Sequence, residues 1–304
     1  MKIQNRAKIC LCISIVIMLV AVVMSLTGHG INYGIDFAGG LNLQYDMGST
    51  YDKADVEEAL KARGIEEFVV SSVGSEGTAV QIRVPTLSDE DEVQNLQNGL
   101  ETTLLKKYPN MDTDNATASY VGPVAGATLV RNAIFSVLIA AVLMLIYIAF
   151  RFDLFSGVAA VAGLLHDVLI MISFMVILRN VIQMNSSFIA AMLTIVGYSI
   201  NNTIVIFDRI RENNKKPALA GQPRSEIVEL SVKESLGRTI NTTLTTLVTI
   251  VTLYILGVAS IREFSLPIII GILAGAYSAN LINGYVWAAL EDARLARKSQ
   301  KKAA

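Results

Sequence analysis

Cysteine is nearly absent from this chain of 304 residues, which holds two, Cys10 and Cys12. They stand two positions apart in one apolar run, so on a helix they face different directions. No disulfide or metal framework can be built from them. Histidine is equally scarce, with two copies, and neither histidine nor cysteine occurs between Leu41 and Val121. That stretch also has no nucleophile–base pair. Charged side chains make up 17% of the chain, against about a quarter in soluble domains. The net charge is −1, and no nucleic-acid partner, metal or cofactor is expected. GIDFAGG, at Gly34–Gly40, lacks the Gly-Lys-Ser/Thr ending and the following helix of a nucleotide loop. The first apolar run ends AVVMSLTG without a small-x-small cleavage site, so it reads as an uncleaved signal anchor.

What is abundant is apolar length. Hydrophobic residues are 53% of the sequence and the mean hydropathy is +0.51. Six runs reach spanning length, about 18 residues or more: Ile9–Leu26, Leu129–Phe150, Leu154–Leu178, Phe188–Phe207, Ile240–Ala259 and Phe264–Leu290. Sixteen of the 25 Lys and Arg fall at the N-terminus, at Arg151, between Arg209 and Arg238, and in the tail from Arg294 to Lys302. This distribution predicts a multi-pass protein with both termini cytoplasmic. The expected division is 1–27 as N-terminus and first span, 28–126 as an extracytoplasmic domain, and 127–290 as a five-helix bundle with a cytoplasmic loop at 208–239. A basic tail, 291–304, follows.

The long segment from Gly28 to Gly126 carries 16 Asp or Glu against 6 Lys or Arg. Leu41–Met47 alternates as a half-buried strand does. Lys53–Arg63 is helical, with Gly64 as its stop. Phe68–Val73 and Ala79–Val84 are strands joined by a hairpin turn at Gly74–Gly77. Asp89–Tyr108 is a helix that Ser88 would cap, with Val93, Leu96, Leu100 and Leu104 as its buried stripe. Ala116–Val121 is a last strand. The order β-α-β-β-α-β predicts an α+β, ferredoxin-like domain. Such a domain binds, or moves as a body, more readily than it catalyses.

Polar residues inside the spans are the candidate functional groups, because uncompensated polarity is costly in lipid. In the third span, GLLHDVLIM puts His166 and Asp167 about eleven residues beyond Ser156, near the bilayer midplane at about 1.5 Å per residue. Asp167 reads as an ion route or a satisfied structural group. His166, about 100° away around the helix, reads as a proton relay or a packing residue. In the fourth, Asn201, Asn202 and Thr203 lie deep, and Asp208 and Arg209 mark the cytoplasmic end, where they would fix the depth of the span. Arg238 opens a Thr-rich fifth span and would snorkel or pair with an inner acid. Asn280 and Asn283, with Gly271, Gly275 and Gly284, predict a close-packed seam on the sixth. Gly34, Gly39 and Gly40 would turn the chain from helix to strand, with Asp36 capping that turn. Around Ile227, Leu230 and Leu236 a weakly amphipathic helix on the membrane surface is expected, or a solvated connector.

Four motifs in register with this topology carry a family resemblance: GIDFAGG after the first span, LLHDV in the third, GYSIN with FDRIREN across the fourth, and RTINTTLTTL opening the fifth. The chain resembles the SecF family, the smaller half of SecD–SecF protein-export motors. The resemblance implies the resistance-nodulation-division membrane fold and pairing with SecD in a bacterial plasma membrane. It also implies docking on the SecYEG channel and, without covalent chemistry, proton- or sodium-driven motion that draws out a preprotein pushed through by SecA. Many relatives read GYSIND in the fourth span, with the aspartate proposed to carry the ion. Here Asn202 stands at that place, and neutral Asn has no proton to exchange. Arg238 matches the arginine thought to act with that aspartate. Coupling would then fall to Asp167 or to an acid of the partner. Two rivals are a structural partner that moves no ions, and a small-molecule or lipid exporter of the same fold. The latter usually has two six-span units and larger outer domains.

Overall fold

The computed structural model describes residues 3–73, 77–85 and 90–303. Gly74–Glu76 of the expected hairpin turn, the Ser88 cap and Asp89 lie outside the described residues. A first helix, α1 (Ile3–Leu26), leads into a one-turn helix, α2 (Ile35–Ala38). A small two-layer unit follows: β1 (Gly40–Asp46), α3 (Lys53–Lys61), β2 (Val69–Val73), β3 (Ala79–Val84), α4 (Glu90–Lys107) and β4 (Asp112–Val121).

Its four strands lie in the order β2-β3-β1-β4, each pair antiparallel. Leu41, Leu43 and Tyr45 of β1 stand opposite Val84, Ile82 and Val80 of β3. All six are buried, because alternate residues of a strand share one face. Onto that face pack Val56, Ala59 and Leu60 of α3 and Val93, Leu96, Leu100 and Leu104 of α4. Asp52 caps α3 by accepting from the Ala54 N–H. The other face of the sheet presents Asn42, Gln44, Gln81 and Arg83, and it looks toward the helix bundle.

The bundle holds α5 (Pro123–Arg151), α6 (Leu154–Ile177), α7 (Ser186–Asn213), α8 (Arg224–Leu256), α9 (Ala259–Ser278) and α10 (Gly284–Ala303). Six helices in the described residues are long and apolar enough to cross a membrane. Three of them, α6, α7 and the α9–α10 run, are 50–61% buried along their most apolar windows, whereas α1, α5 and α8 are 6–11% buried there. The first three therefore form the interior and the others its rim.

Several expectations are corrected here. The amphipathic stretch around Ile227 is no separate surface helix. It is the start of α8, one helix of 33 residues, in which Val228 and Val232 pack against Ile206, Ile210 and Trp287. The buried face runs in phase through Gly237, from Ile227, Val228 and Val232 to Ser235 and Thr239, with no proline to stop it, so the expected loop at 208–239 is largely helix. Its first six residues continue α7, which runs to Asn213. The last span is interrupted by a five-residue π-helical turn, Ala279–Asn283.

The glycine motif is likewise more than a tight turn. Gly34 precedes the one-turn helix α2, and the reversal falls on Gly39 and Gly40, with φ of 77° and 110°. A Cβ on Gly40 would strike the Val84 carbonyl oxygen and Pro85. The Asp36 carboxylate leaves its own turn and accepts from the Ser186 N–H, 2.8 Å away, at the start of α7. The first N–H groups of a helix have no intrahelical partner, and a carboxylate is favoured there. The Gly34 N–H also donates to the Met184 carbonyl at 2.9 Å. The motif is thus fastened to the connection between α6 and α7.

Candidate functional site

Asp167 stands near the middle of α6 and is fully buried. Its Oδ2 accepts from Ser199 Oγ of α7 at 2.5 Å and from Ser278 Oγ at the end of α9 at 3.0 Å. Its Oδ1 lies 3.0 Å from His166 Nδ1. A carboxylate so surrounded has its lone pairs engaged by three helices rather than by water. Gly275 makes this approach feasible. A Cβ there would come within 3.1 Å of Ser199 Cβ and 3.4 Å of Asp167 Oδ2.

His166 is not turned away from Asp167 as helical spacing suggested; its ring folds back to reach it. On its far side, Nε2 lies 2.8 Å from Ser14 Oγ of α1 and 2.9 Å from the Tyr277 hydroxyl of α9. Those two hydroxyls are 2.7 Å apart, and Ser14 also donates to the Cys10 carbonyl at 3.0 Å. The Tyr277 ring meets the imidazole edge-on, 5.3 Å between centroids. An ionised carboxylate only accepts, so Nδ1 carries hydrogen whenever Asp167 is charged. Nε2 then accepts from a hydroxyl when the ring is neutral and donates to one when it is charged. The result is a continuous polar chain from Ser14 and Tyr277 through His166 to Asp167, Ser199 and Ser278.

Among the described residues Asn202, Asp208, Arg209 and Arg238 are not joined to this chain by side-chain hydrogen bonds, and Thr203 meets it only at the Ser199 carbonyl, to which its Oγ1 donates at 3.1 Å. Asn202 is buried, yet its Nδ2 has no partner. Beside it in sequence, Thr203 accepts from Asn283 Nδ2 at 2.8 Å. The Oδ1 of Asn283 is also unpartnered, so two buried amides here are incompletely satisfied. Asn201 faces outward. The Arg238 side chain is exposed and makes no hydrogen bond or ion pair within the described residues. It lines an open cavity of about 640 Å³ with Asp208, Arg209, Glu212 and Glu234. Asp208 pairs with Arg151 at 3.5 Å, and Arg209 binds Glu234 and Glu212 at 2.7 and 2.5 Å.

The expected glycine seam is present. A Cβ on Gly271 would meet Ile195 at 2.5 Å, and one on Gly284 would meet Val228 at 2.7 Å. Asn280 accepts from Thr239 of α8 at 3.1 Å. Sequence reasoning missed Ser14, Ser199, Tyr277 and Ser278. One signal could have found three of them: a Tyr-Ser pair occurs at Tyr198–Ser199 and again at Tyr277–Ser278, and both serines bind Asp167.

Comparison with known proteins places this geometry. Residues 101–293 match the family "Protein export membrane protein SecD/SecF, C-terminal", and residues 25–49 match the "SecD/SecF GG Motif". The chain is 35% identical over 280 residues to the protein translocase subunit SecF of Rickettsia bellii, covering 92% of this chain and 90% of that one. It is 34% identical to the protein translocase subunit SecDF of Bacillus subtilis over 92% of this chain and 37% of that protein. The crystal structure of SecDF, a translocon-associated membrane protein from Thermus thermophilus, superposes with a TM-score of 0.80 at 34% identity, covering 95% of this chain and 38% of that one. The chain therefore belongs to the SecD/SecF family of protein-export membrane proteins and serves Sec protein export as a subunit of the SecF kind.

Proposed function

We propose that this chain couples an ion gradient to the late stage of preprotein export, with Asp167 as the ion-carrying group. The observation that carries the reading is a fully buried carboxylate held at once by His166, Ser199 and Ser278. By default a carboxylate at such depth marks an ion or proton path. Protonating Asp167, or seating sodium on it, would change its bonds to α7 and α9. Two arrangements of the bundle that hold the ion unequally are all that coupling requires.

In this reading α7 transmits the change. Ser199 touches Asp167 at its middle, and Ser186 holds Asp36 at its start. Asp36 lies four residues before β1, so a shift of α7 would move the small domain as a body. That domain, residues 28–126, has the strand order and connections of a ferredoxin-like unit and would stand outside the plasma membrane of a bacterium. Residues 1–27 would supply the first span, 127–290 the bundle and 291–304 the tail, with both termini cytoplasmic. SecD would complete the bundle, SecYEG would receive the pair, and SecA would push the preprotein from the cytoplasm. No covalent chemistry on the substrate is involved. Asp36→Ala is expected to leave ion flux intact and to lower export, measured in vesicles; unchanged export would remove α7 as the transmitter.

A second reading has a specific observation behind it. Asn202 puts an amide without an exchangeable proton in the fourth span, and among the described residues Arg238 has no buried acid beside it. A chain that only stabilises the export assembly would look like this at those two positions. The test is ion flux and export with Asp167→Asn. Loss of both at normal membrane abundance supports coupling, and retention of both supports the scaffold.

A further inference from the structure

Between the open face of the sheet and the near end of the bundle lies a cleft of about 750 Å³. This is the size of a small-molecule site. Three guanidinium groups line it: Arg83 of β3, Arg179 just after α6, and Arg262 of α9. Among the described residues each side chain makes a single hydrogen bond, to a neutral oxygen: Arg83 to Asn32 Oδ1 at 3.4 Å, Arg179 to the Gly28 carbonyl at 3.3 Å, Arg262 to the Ile255 carbonyl at 3.2 Å. None is in ion-pair contact with a carboxylate among the described residues. The one acid on the cleft wall among the described residues, Glu263, accepts from Asn185 Nδ2 at 2.6 Å and acts on the Arg83 charge without contact.

Arg83 is the decisive member. It is 9% exposed, and its Nε is buried with no partner. Glu263 acts on this charge from across the cleft without touching it, and a buried charge with no contact partner is costly, so the position has room and donors for an anion. The cleft opens where α6 and α8 end and α9 begins, the level at which lipid phosphates lie beside membrane-length helices. Its lip is apolar: Val181 and Val258 are 68% and 66% exposed. A water-borne anion has no use for such a lip, whereas acyl chains would cover it.

We infer that this cleft binds the phosphate of an anionic phospholipid, with Arg83, Arg179 and Arg262 as its ligands and the acyl chains leaving past Val258. The guanidinium fork matches phosphate oxygens in pairs. A lipid seated there would tie the small domain to the bundle through Arg83. The inference rests on the membrane-spanning character of the chain and not on ion coupling at Asp167.

The test uses the full chain purified in detergent and stripped of lipid. Phosphatidylglycerol, phosphatidylcholine, inorganic phosphate and an acidic peptide are added separately, with melting temperature and native mass spectrometry as readouts. Phosphatidylglycerol is expected to be retained at one per chain and to raise the melting temperature above the other additions. Arg179→Gln and Arg262→Gln, both at partly exposed positions that should fold, are each expected to weaken retention by about tenfold. Equal retention by the variants would overturn the inference. So would protection by inorganic phosphate or the acidic peptide without any by the lipid, or failure of the lipid to be retained.

Discussion

The small domain and the bundle are built inside out with respect to each other. The domain core is a hydrophobic cluster: Leu41, Leu43, Tyr45, Val56, Leu60, Ile82 and Leu100 meet between sheet and helices, and none of the domain's described acidic side chains is buried. In the bundle the interior holds Asp167, Ser199, Asn202, Thr203, Ser278 and Asn283, while Ile139, Leu244 and Val248 point outward. Water explains the first arrangement, because burying apolar area is the driving force there. Lipid explains the second, since a leucine gains little by leaving a lipid tail for a protein interior. Close packing at Gly271, Gly275 and Gly284 and hydrogen bonds between helices must then hold the bundle together. Polarity in the domain lies mostly at the surface, and much of the polarity in the bundle lies inside.

The comparison breaks most sharply if a charge enters the domain core. Leu43→Asp would bury an unpaired carboxylate and is expected to unfold the domain, a loss above about 4 kcal/mol, seen as protease sensitivity between residues 40 and 121. A milder pair sharpens it. Leu100→Ala is expected to destabilise the domain by about 2–5 kcal/mol, whereas Leu244→Ala on the rim of α8 should change stability by about 0.5 kcal/mol or less. Equal effects in a thermal melt would contradict the assignment of Leu244 to a lipid-facing surface.

The smallest effect concerns pH. The Lys107 ammonium, with the Tyr108 hydroxyl, holds the Asp55 carboxyl below its ordinary value. A depressed carboxyl contributes stability above its unfolded pKa and loses it as pH falls through the folded one. Acidification below about pH 4 should therefore weaken this link between α3 and α4. Asp112, lowered by Asn115, acts in the same direction. The informative quantity is thus the difference between the full chain and Asp55→Asn: the variant should lose less melting temperature on acidification. The same loss in both would remove Asp55 as a contributor.

Much of the fold could be read directly. The strand read at Leu41–Met47 is found at Gly40–Asp46, and the helix read at Asp89–Tyr108 is described from Glu90 to Lys107, because alternation and helical stripes are local signals. Asp167 also stood out, since acids are rare at that depth. The rest is tertiary. Serine hydroxyls are common in membrane helices and bond to their own backbone, as Ser173 does to Leu169. Only the repeated Tyr-Ser pair sets Ser199 and Ser278 apart, and nothing in it says that they bind Asp167. The partner of Asp36 lies 150 positions away in sequence. The π-helical turn at Ala279–Asn283 holds two buried amides, Asn280 and Asn283, and no periodicity announced it.

The central claim is tested most directly by ion flux through vesicles holding this chain with a SecD partner, comparing the native protein with Asp167→Asn and Asn202→Asp under proton and then sodium gradients. The account predicts flux in the native protein that falls to background with Asp167→Asn and does not require Asn202→Asp. No flux in the native protein, with flux appearing only on Asn202→Asp, would contradict it and leave the chain as a scaffold of the export assembly.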